Sequence, residues 1–298
     1  MVDLGRVGVW TWAFDRLPWP AVADAVAEME DLGFGTIWFG EAAGRDAPTQ
    51  SALLLAATRR IAVSPGIANI YRHDPVELVQ AERTLAEAFP GRFQLGLGVG
   101  APRIAEQLGK KWGPPIETMR GFLDAMDATE LTGPAPAQPA PRVLAALGPK
   151  MLELAAERTR GAHPFFVPVE HTAFARSVIG PDALLAAHVN VVLHDDPAEA
   201  RAIARAAVAP WVAFADVVPS RWAQIRKLTG MTQDDLADGG SDRLVDSLMA
   251  FGDEAAIAER VRQQFAAGAD HVCISVAGPD PAPPLGMDVL RRLAPALG

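Results

Sequence analysis

The chain is expected to fold as an α/β protein, a (β/α)8 TIM barrel with a helical insertion before the last strand. Three observations carry that expectation. Apolar, strand-like runs alternate with helical patterns from the first residues onward, the pattern of a parallel sheet. Eight such runs can be counted, the number a closed barrel needs. The same punctuation also recurs at three helix-to-strand junctions, with Gly33 before Thr36-Ile37, Gly161 before His163 and Gly268 before His271. Glycine there fits a left-handed helix cap. With 298 residues, half of them hydrophobic and 21% charged, the chain can bury one large core, so residues 1–298 are read as a single domain.

The elements follow in order. Val7–Trp12 reads as the first strand. Pro20–Leu32 has its apolar residues (Val22, Ala25, Val26, Met29) at helical spacing and stops at Gly33. Thr36–Phe39 is a short buried strand ending at Gly40-Glu41, and Pro48–Arg60 is the next helix. Ile61–Ala68 is the third strand, and Asp74-Pro75 opens a helix with an N-cap aspartate and a proline at the first position. Gly91–Ala101 is the fourth strand, followed by a helix over Pro114–Leu131 and a proline-rich connection over Gly133–Pro141. Strands are then read at Arg142–Leu147, Ala162–Val167, Val189–Leu193 and His271–Val276. Helices fall at Met151–Arg160, Thr172–Ile179, Pro197–Val208 and Ala255–Ala267. Residues 211–252 are helical but break the rhythm, and are read as the insertion.

The fourth strand is the most informative segment. Side chains alternate in a strand, so Phe93, Leu95, Leu97 and Val99 share one face while Gly96, Gly98 and Gly100 strip the other. Glycine in a strand marks a bulge or the close approach of a ligand or another backbone. Gly96-x-Gly98-x-x-Ala101 also matches the dinucleotide fingerprint, but that motif belongs to a first βα turn with an acidic residue ending the next strand. Here Glu117 and Asp124 fall within a helix, so a strand-end phosphate or ring site is the better reading. Gly100 and Ala101 present backbone N–H groups, and Pro102-Arg103-Ile104 can begin a short helix whose N-terminus favours anions.

Further candidates lie at other strand ends. Pro65 and Gly66 within the third strand imply a distortion before Ile67, Ala68 and Asn69. Arg72 and His73 beyond it read as solvated loop residues able to meet an anion. Glu41 is either a polar contact at the barrel mouth or a helix-capping or salt-bridged carboxylate. Gly148-Pro149-Lys150 forms an anion-ready loop before a helix. Thr172, next to His171, is an N-cap candidate.

Several function classes are excluded. A net charge of −9 argues against a nucleic-acid partner, which needs a basic face. No apolar run reaches the ~20 residues that span a bilayer. The N-terminus lacks a basic segment followed by an apolar run, so no signal peptide is expected. The one cysteine, Cys273, fits a reducing cytoplasm and a buried, inert thiol. The six histidines show no metal-ligand spacing, and no Gly-x-Ser-x-Gly elbow is present.

Taken together, four pieces resemble the luciferase-like monooxygenase superfamily, and within it the coenzyme F420 (deazaflavin)-dependent oxidoreductases of actinobacteria. They are Leu32–Glu41, the run ending Ile67-Ala68-Asn69, Gly91–Gly100, and Ala267–Val272. The resemblance spans nearly the whole chain. It implies a flavin-like ring across the carboxyl-terminal mouth of the barrel, backed by a non-prolyl cis peptide on the third strand, which by position is Gly66-Ile67. It places the phosphate or ribityl side at Gly98, Gly100 and Ala101, a polar contact at Glu41, and weaker contacts at Gly148, Pro149, His171 and Thr172. A homodimer is expected on the same basis.

One departure bears on mechanism. Sugar-phosphate and alcohol dehydrogenases of the deazaflavin group carry an Asp-His pair after the second strand and a Glu after the fourth-strand glycines. Here those positions hold Glu41-Ala42 and Ala101. The resemblance therefore implies hydride transfer to an activated alkene, imine or ketone of an apolar small molecule, with solvent or Tyr71 (the only tyrosine) supplying the proton. The alternatives are an FMN-dependent monooxygenase using dioxygen and a non-catalytic cofactor-binding barrel.

Overall fold

The computed structural model describes residues 2–213, 219–278 and 285–298. It opens with β1 (Val7–Thr11), α1 (Trp19–Asp31), β2 (Thr36–Phe39) and α2 (Ala47–Ala57). The third barrel strand is split into β3 (Ala62–Pro65) and β4 (Ala68–Asn69), and leads to α3 (Pro75–Ala88). Next come β5 (Leu95–Gly98), α4 (Pro102–Gln107), α5 (Pro115–Asp127), β6 (Arg142–Leu144) and α6 (Pro149–Arg158). β7 (Gly161–Ala162), α7 (Val169–Ile179), β8 (Leu184–Leu193) and α8 (Pro197–Ala213) follow. The chain then runs through α9 (Pro219–Thr229), α10 (Asp242–Leu248), β9 (Met249–Gly252), α11 (Glu254–Ala266), β10 (His271–Val276) and α12 (Met287–Leu297).

All strand pairs are parallel, in the order β3-β2-β1-β10-β8-β7-β6-β5-β4. The ring closes through the third strand: β3 pairs with β2, β4 pairs with β5, and Val63 bridges to Phe93. Two backbone bonds make that seam, Val63 N–H to Arg92 O at 2.8 Å and Gln94 N–H to Val63 O at 3.1 Å. This is a (β/α)8 barrel, as the alternation predicts.

Strand alternation sorts the core into two layers. On β8, Leu185, Ala187, Val189 and Val191 face the helices, whereas Leu184 and Ala186 join Trp10, Trp38, Ala62, Val143 and Cys273 inside the barrel. Some of the polar groups in the interior are paired with one another. Trp38 Nε1 donates to His271 Nε2 at 3.0 Å, His271 Nδ1 donates to Gly5 O at 2.9 Å, and His163 stacks on Trp38 at 4.5 Å. The Cys273 thiol is buried, and burial raises it well above its ordinary pKa, in keeping with an inert role.

Several boundaries differ from expectation. The seventh barrel strand begins at Leu184 rather than Val189, because the alanine-rich run Leu184–His188 has weak strand propensity and is held by pairing with β10. The helical reading of 211–252 holds for α9 and α10, with 214–218 outside the described residues, but Met249–Gly252 is a strand. That strand, β9, pairs with Asn190–Leu193, extending the edge of β8 that carries β7 at its start. The sixth barrel strand shrinks from Ala162–Val167 to two residues, Gly161–Ala162. Gly33 and Gly268 are positive-φ residues just past their helices, as predicted, but Gly161 lies in the strand. A Cβ at Gly161 would stand 2.0 Å from Leu184 O, so close strand approach explains this glycine.

Candidate active site at the carboxyl-terminal mouth

The break in the third strand is a cis peptide between Gly66 and Ile67, at the position expected. Gly66 O accepts a hydrogen bond from Trp10 Nε1 at 3.1 Å, which ties the break to the barrel interior. The stripped face of β5 meets this segment. A Cβ at Gly96 would lie 2.0 Å from Pro65 O, one at Gly98 2.5 Å from Ile67 Cγ1, and one at Gly100 2.3 Å from Asn69 Nδ2. The third strand itself therefore lies on the glycines, with its backbone at Gly96 and its side chains at Gly98 and Gly100. Ile67, half-buried, is left as the surface that the mouth sees.

Glu41 is buried and acts as a staple. Its Oε1 accepts from Ala47 N–H at 2.8 Å, its Oε2 from Asn69 N–H at 2.8 Å, and His73 Nε2 stands 2.8 and 3.0 Å from the two oxygens. One carboxylate thus joins the end of β2, the start of α2, β4 and the approach to α3. His73 is corrected from a solvated loop residue to a partner of Glu41, so a carboxylate–imidazole pair exists although position 42 is alanine. Arg72 and His73 also line a cavity of about 390 Å³ with Glu41, Arg45, Asp46 and Glu77.

Asn69 Oδ1 accepts from Tyr71 N–H at 2.9 Å, which rigidifies the turn after β4. Tyr71 itself stacks on Trp112 at 5.2 Å, and its hydroxyl accepts from Gly113 N–H at 2.9 Å. These contacts place it in the sheet–helix layer beneath the approach to α5. Ala68, like Asn69, is buried.

Two helices begin at the mouth without a capping side chain. Gly148 is the N-cap of α6, with Pro149 at its first position, and Ala101 is the N-cap of α4 after Gly100 at φ +68°. Each carries an exposed cation in its first turn, Lys150 and Arg103. A cation there opposes the helix dipole, an arrangement that an anion would relieve.

His171 and Thr172 lie within α7, not in a turn before it. The N-cap is Pro168, so the expected capping role of Thr172 is corrected. Its hydroxyl donates instead to Gln264 Oε1 on α11 at 2.5 Å. His171 Nε2 donates to Leu147 O at 2.8 Å, beside Gly148. The periodicity at Phe174 and Ile179 locates this helix, but proline at the cap hides where it starts.

The sequence reading missed a buried arginine, Arg221, and the rings from distant segments that pack against Trp10. Trp10 packs against Trp12, Phe165 and His188 at 4.7, 4.8 and 5.2 Å between ring centroids. Phe165 stacks on His188 at 4.1 Å and touches Trp211 at 5.6 Å. Arg221, on α9, donates from Nη2 to Phe165 O at 3.0 Å and to Phe166 O. Only the aromatic density of the segment was visible in one dimension.

Burial pushes His163, His171 and His271 down to about 4, and His188 well below the ordinary value of 6.5. All four are therefore neutral at neutral pH in the folded chain, while the unfolded chain takes up protons below about 6.5. Stability is complete above that value and declines as pH falls toward 4, by up to about 1.4 kcal/mol per pH unit for each imidazole. Urea midpoints measured at about pH 7 and about pH 5 are expected to differ steeply, and His188→Phe should reduce the difference.

The luciferase-like monooxygenase profile matches residues 5–271. The chain belongs to the luciferase-like monooxygenase family. Within its range of relatives, a Mycobacterium tuberculosis protein named as a coenzyme F420-dependent oxidoreductase is 33% identical over 103 residues, 34% of this chain and 30% of that one. A 5,10-methylenetetrahydromethanopterin reductase of Archaeoglobus fulgidus is 28% identical over 84% of this chain and 88% of its own. Among solved luciferase-like folds, an F420-dependent secondary alcohol dehydrogenase bound to an F420-acetone adduct superposes with a TM-score of 0.75 at 16% identity, covering 98% of this chain and 99% of that one. The oxygenating component of 3,6-diketocamphane monooxygenase from Pseudomonas putida, bound to FMN, gives 0.70 at 17% identity and 98% of both chains. At these identities the structural likeness is one of fold. No helix among the described residues is long and apolar enough to cross a membrane.

Proposed function

We propose that this luciferase-like chain is a coenzyme F420-dependent oxidoreductase that transfers hydride between the deazaflavin and an apolar organic substrate. The observation that carries the reading is the donor set at the mouth. The uncapped start of α6 at Gly148-Pro149-Lys150 and the neighbouring Gly100–Arg103 turn present backbone N–H groups and cations where an anionic phosphodiester tail would lie. Ile67, Ala68 and Asn69, held by Glu41 and by the glycines of β5, would form the platform behind the ring. The name of the Mycobacterium tuberculosis relative supports the deazaflavin as the cofactor.

When bound, the deazaflavin supplies the hydride carrier. The chain's own residues do the positioning. Glu41 fixes the platform through Asn69, and Trp10 holds Gly66 O. The Trp10–Trp12–Phe165 wall excludes water from the face where an apolar substrate would lie. The Tyr71 hydroxyl accepts from Gly113 N–H and keeps its own proton to donate, so solvent or Tyr71 supplies the proton in this reading. A homodimer in the cytoplasm belongs to the same proposal. In support of the dimer, α2 is apolar around most of its circumference, and Leu53 on it is 37% exposed.

Titrating the apoprotein with deazaflavin and with FMN, following quenching of each cofactor's fluorescence, tests the reading. Saturable deazaflavin binding is expected. Tight FMN binding without deazaflavin binding would replace the proposal with an FMN monooxygenase, which the FMN-bound neighbour favours. Binding of neither would leave a non-catalytic barrel.

A further inference from the structure

Arg221 is a buried cation without a counter-charge. It is 9% exposed, its Nε has no hydrogen-bond partner, and among the described residues no carboxylate pairs with it. Its remaining contacts are the carbonyls of Phe165 and Phe166 and the rings of Phe166, Trp211 and Trp222, at 5.3, 5.7 and 5.9 Å. Aromatic faces and carbonyls soften a buried charge but do not neutralise it. The helix dipole adds to the imbalance, since Arg221 is in the first turn of α9. Other half-buried arginines divide: Arg142 meets Glu82 and Asp127 and Arg176 meets Asp270, while Arg92 and Arg260 bond to backbone carbonyls.

The surroundings are rich in donors that have nothing to bond. Trp222 Nε1 is buried and unpartnered, as is His188 Nε2. His188 Nδ1 accepts from Phe166 N–H at 3.1 Å, so the imidazole proton sits on Nε2 and is itself the orphan donor. The nearby acceptor counterpart is His171 Nδ1, whose ring is committed through Nε2 to Leu147 O. Arg221 and His188 are both anchored on the Phe165–Phe166 dipeptide, and Phe165 packs on Trp10, whose indole holds Gly66 O. Arg221 and His188 thus stand one aromatic ring away from the break in the third strand.

We propose that Arg221, with His188 Nε2 and Trp222 Nε1, forms an oxyanion subsite for the substrate, which is therefore an organic acid with an aromatic or otherwise apolar body. The identity of the bound molecule as substrate rests on the function proposed above; the oxyanion site itself does not. A carboxylate would accept from the free Nε and the indole and imidazole N–H groups, while Phe165, Trp10 and Trp211 cover its carbon skeleton. The guanidinium then gains the counter-charge that the fold does not provide.

Benzoate, benzamide and inorganic phosphate serve as probes of the apoprotein, read by tryptophan fluorescence and by the shift in thermal unfolding midpoint. Benzoate is expected to bind saturably, and benzamide roughly tenfold or more weakly, because only the anion makes charge-assisted bonds. Arg221→Met should lower benzoate affinity by about tenfold to a hundredfold, with Arg221→Lys in between, while deazaflavin affinity is retained. Equal binding of benzoate and benzamide, or benzoate binding unchanged in Arg221→Met, overturns the proposal. Phosphate that binds through Arg221 and is displaced by deazaflavin, with benzoate failing to bind, assigns the anion site to the cofactor and overturns the substrate reading. Where Arg221→Met fails to fold, the wild-type benzoate–benzamide comparison and His188→Phe, expected to weaken benzoate, decide the matter. Benzoate binding without deazaflavin binding would overturn the proposed cofactor and leave the oxyanion site standing.

Discussion

Replacing Gly98 by valine is expected to abolish deazaflavin binding while the barrel stays folded. A Cβ at this position would come within 2.5 Å of Ile67 Cγ1, 2.7 Å of its Cδ1 and 3.2 Å of Ala145 Cβ. The first is a branch atom of a β-branched side chain and the second its far end, so the half-buried Ile67 yields only by changing rotamer. It can yield only away from β5, into the space where the ring is proposed to lie. The overpacking should cost about 1–3 kcal/mol, which a barrel of this size can absorb. A fluorescence titration with deazaflavin and a urea unfolding curve on the same preparation check both halves. Binding that survives the substitution would mean that Ile67 does not form the platform.

Gly96→Ala, two residues earlier on the same face, is expected to act in the opposite sense, on folding rather than on binding. Its Cβ would stand 2.0 Å from Pro65 O, a backbone atom next to the seam where Val63 bonds to Arg92 and Gln94. No rotamer change relieves that contact. The strands must separate, and the seam is where the barrel closes. A loss of about 3 kcal/mol or more is expected, read as a lower urea midpoint and poor recovery of soluble protein. A Gly96→Ala protein as stable as wild type would show that β3 and β5 can part without consequence.

These two glycines illustrate how much of the site was legible. Their alternation with Leu95, Leu97 and Val99 revealed a stripped face, since side-chain direction in a strand depends only on local geometry. What covers that face was not local. Pro65, Ile67 and Asn69 come from 27 or more positions upstream, and nothing in the glycines distinguishes a ring from a neighbouring strand. Glu41 shows the same limit. Both of its readings were open in the sequence, and three donors converging from α2, β4 and His73 realised the stapling one. Arg221 and His188 carried no motif, because what distinguishes them is one unpartnered nitrogen each, Nε and Nε2, in a buried setting.

The sequence by itself determined the barrel, a distortion in the third strand at Pro65-Gly66 and the crowded glycine strand, all of which follow from short-range periodicity and backbone preference, while the cis peptide at Gly66-Ile67 was implied by the family resemblance. Only the tertiary structure decided the start of β8, the ninth strand segment at Met249–Gly252, the pairing of Glu41 with His73, and the gathering of unpartnered donors around Phe165. Each of these depends on burial and on contacts between residues far apart in the chain. Desolvation is a property of the closed barrel, and until it closes Arg221 is one more arginine in a polar helix.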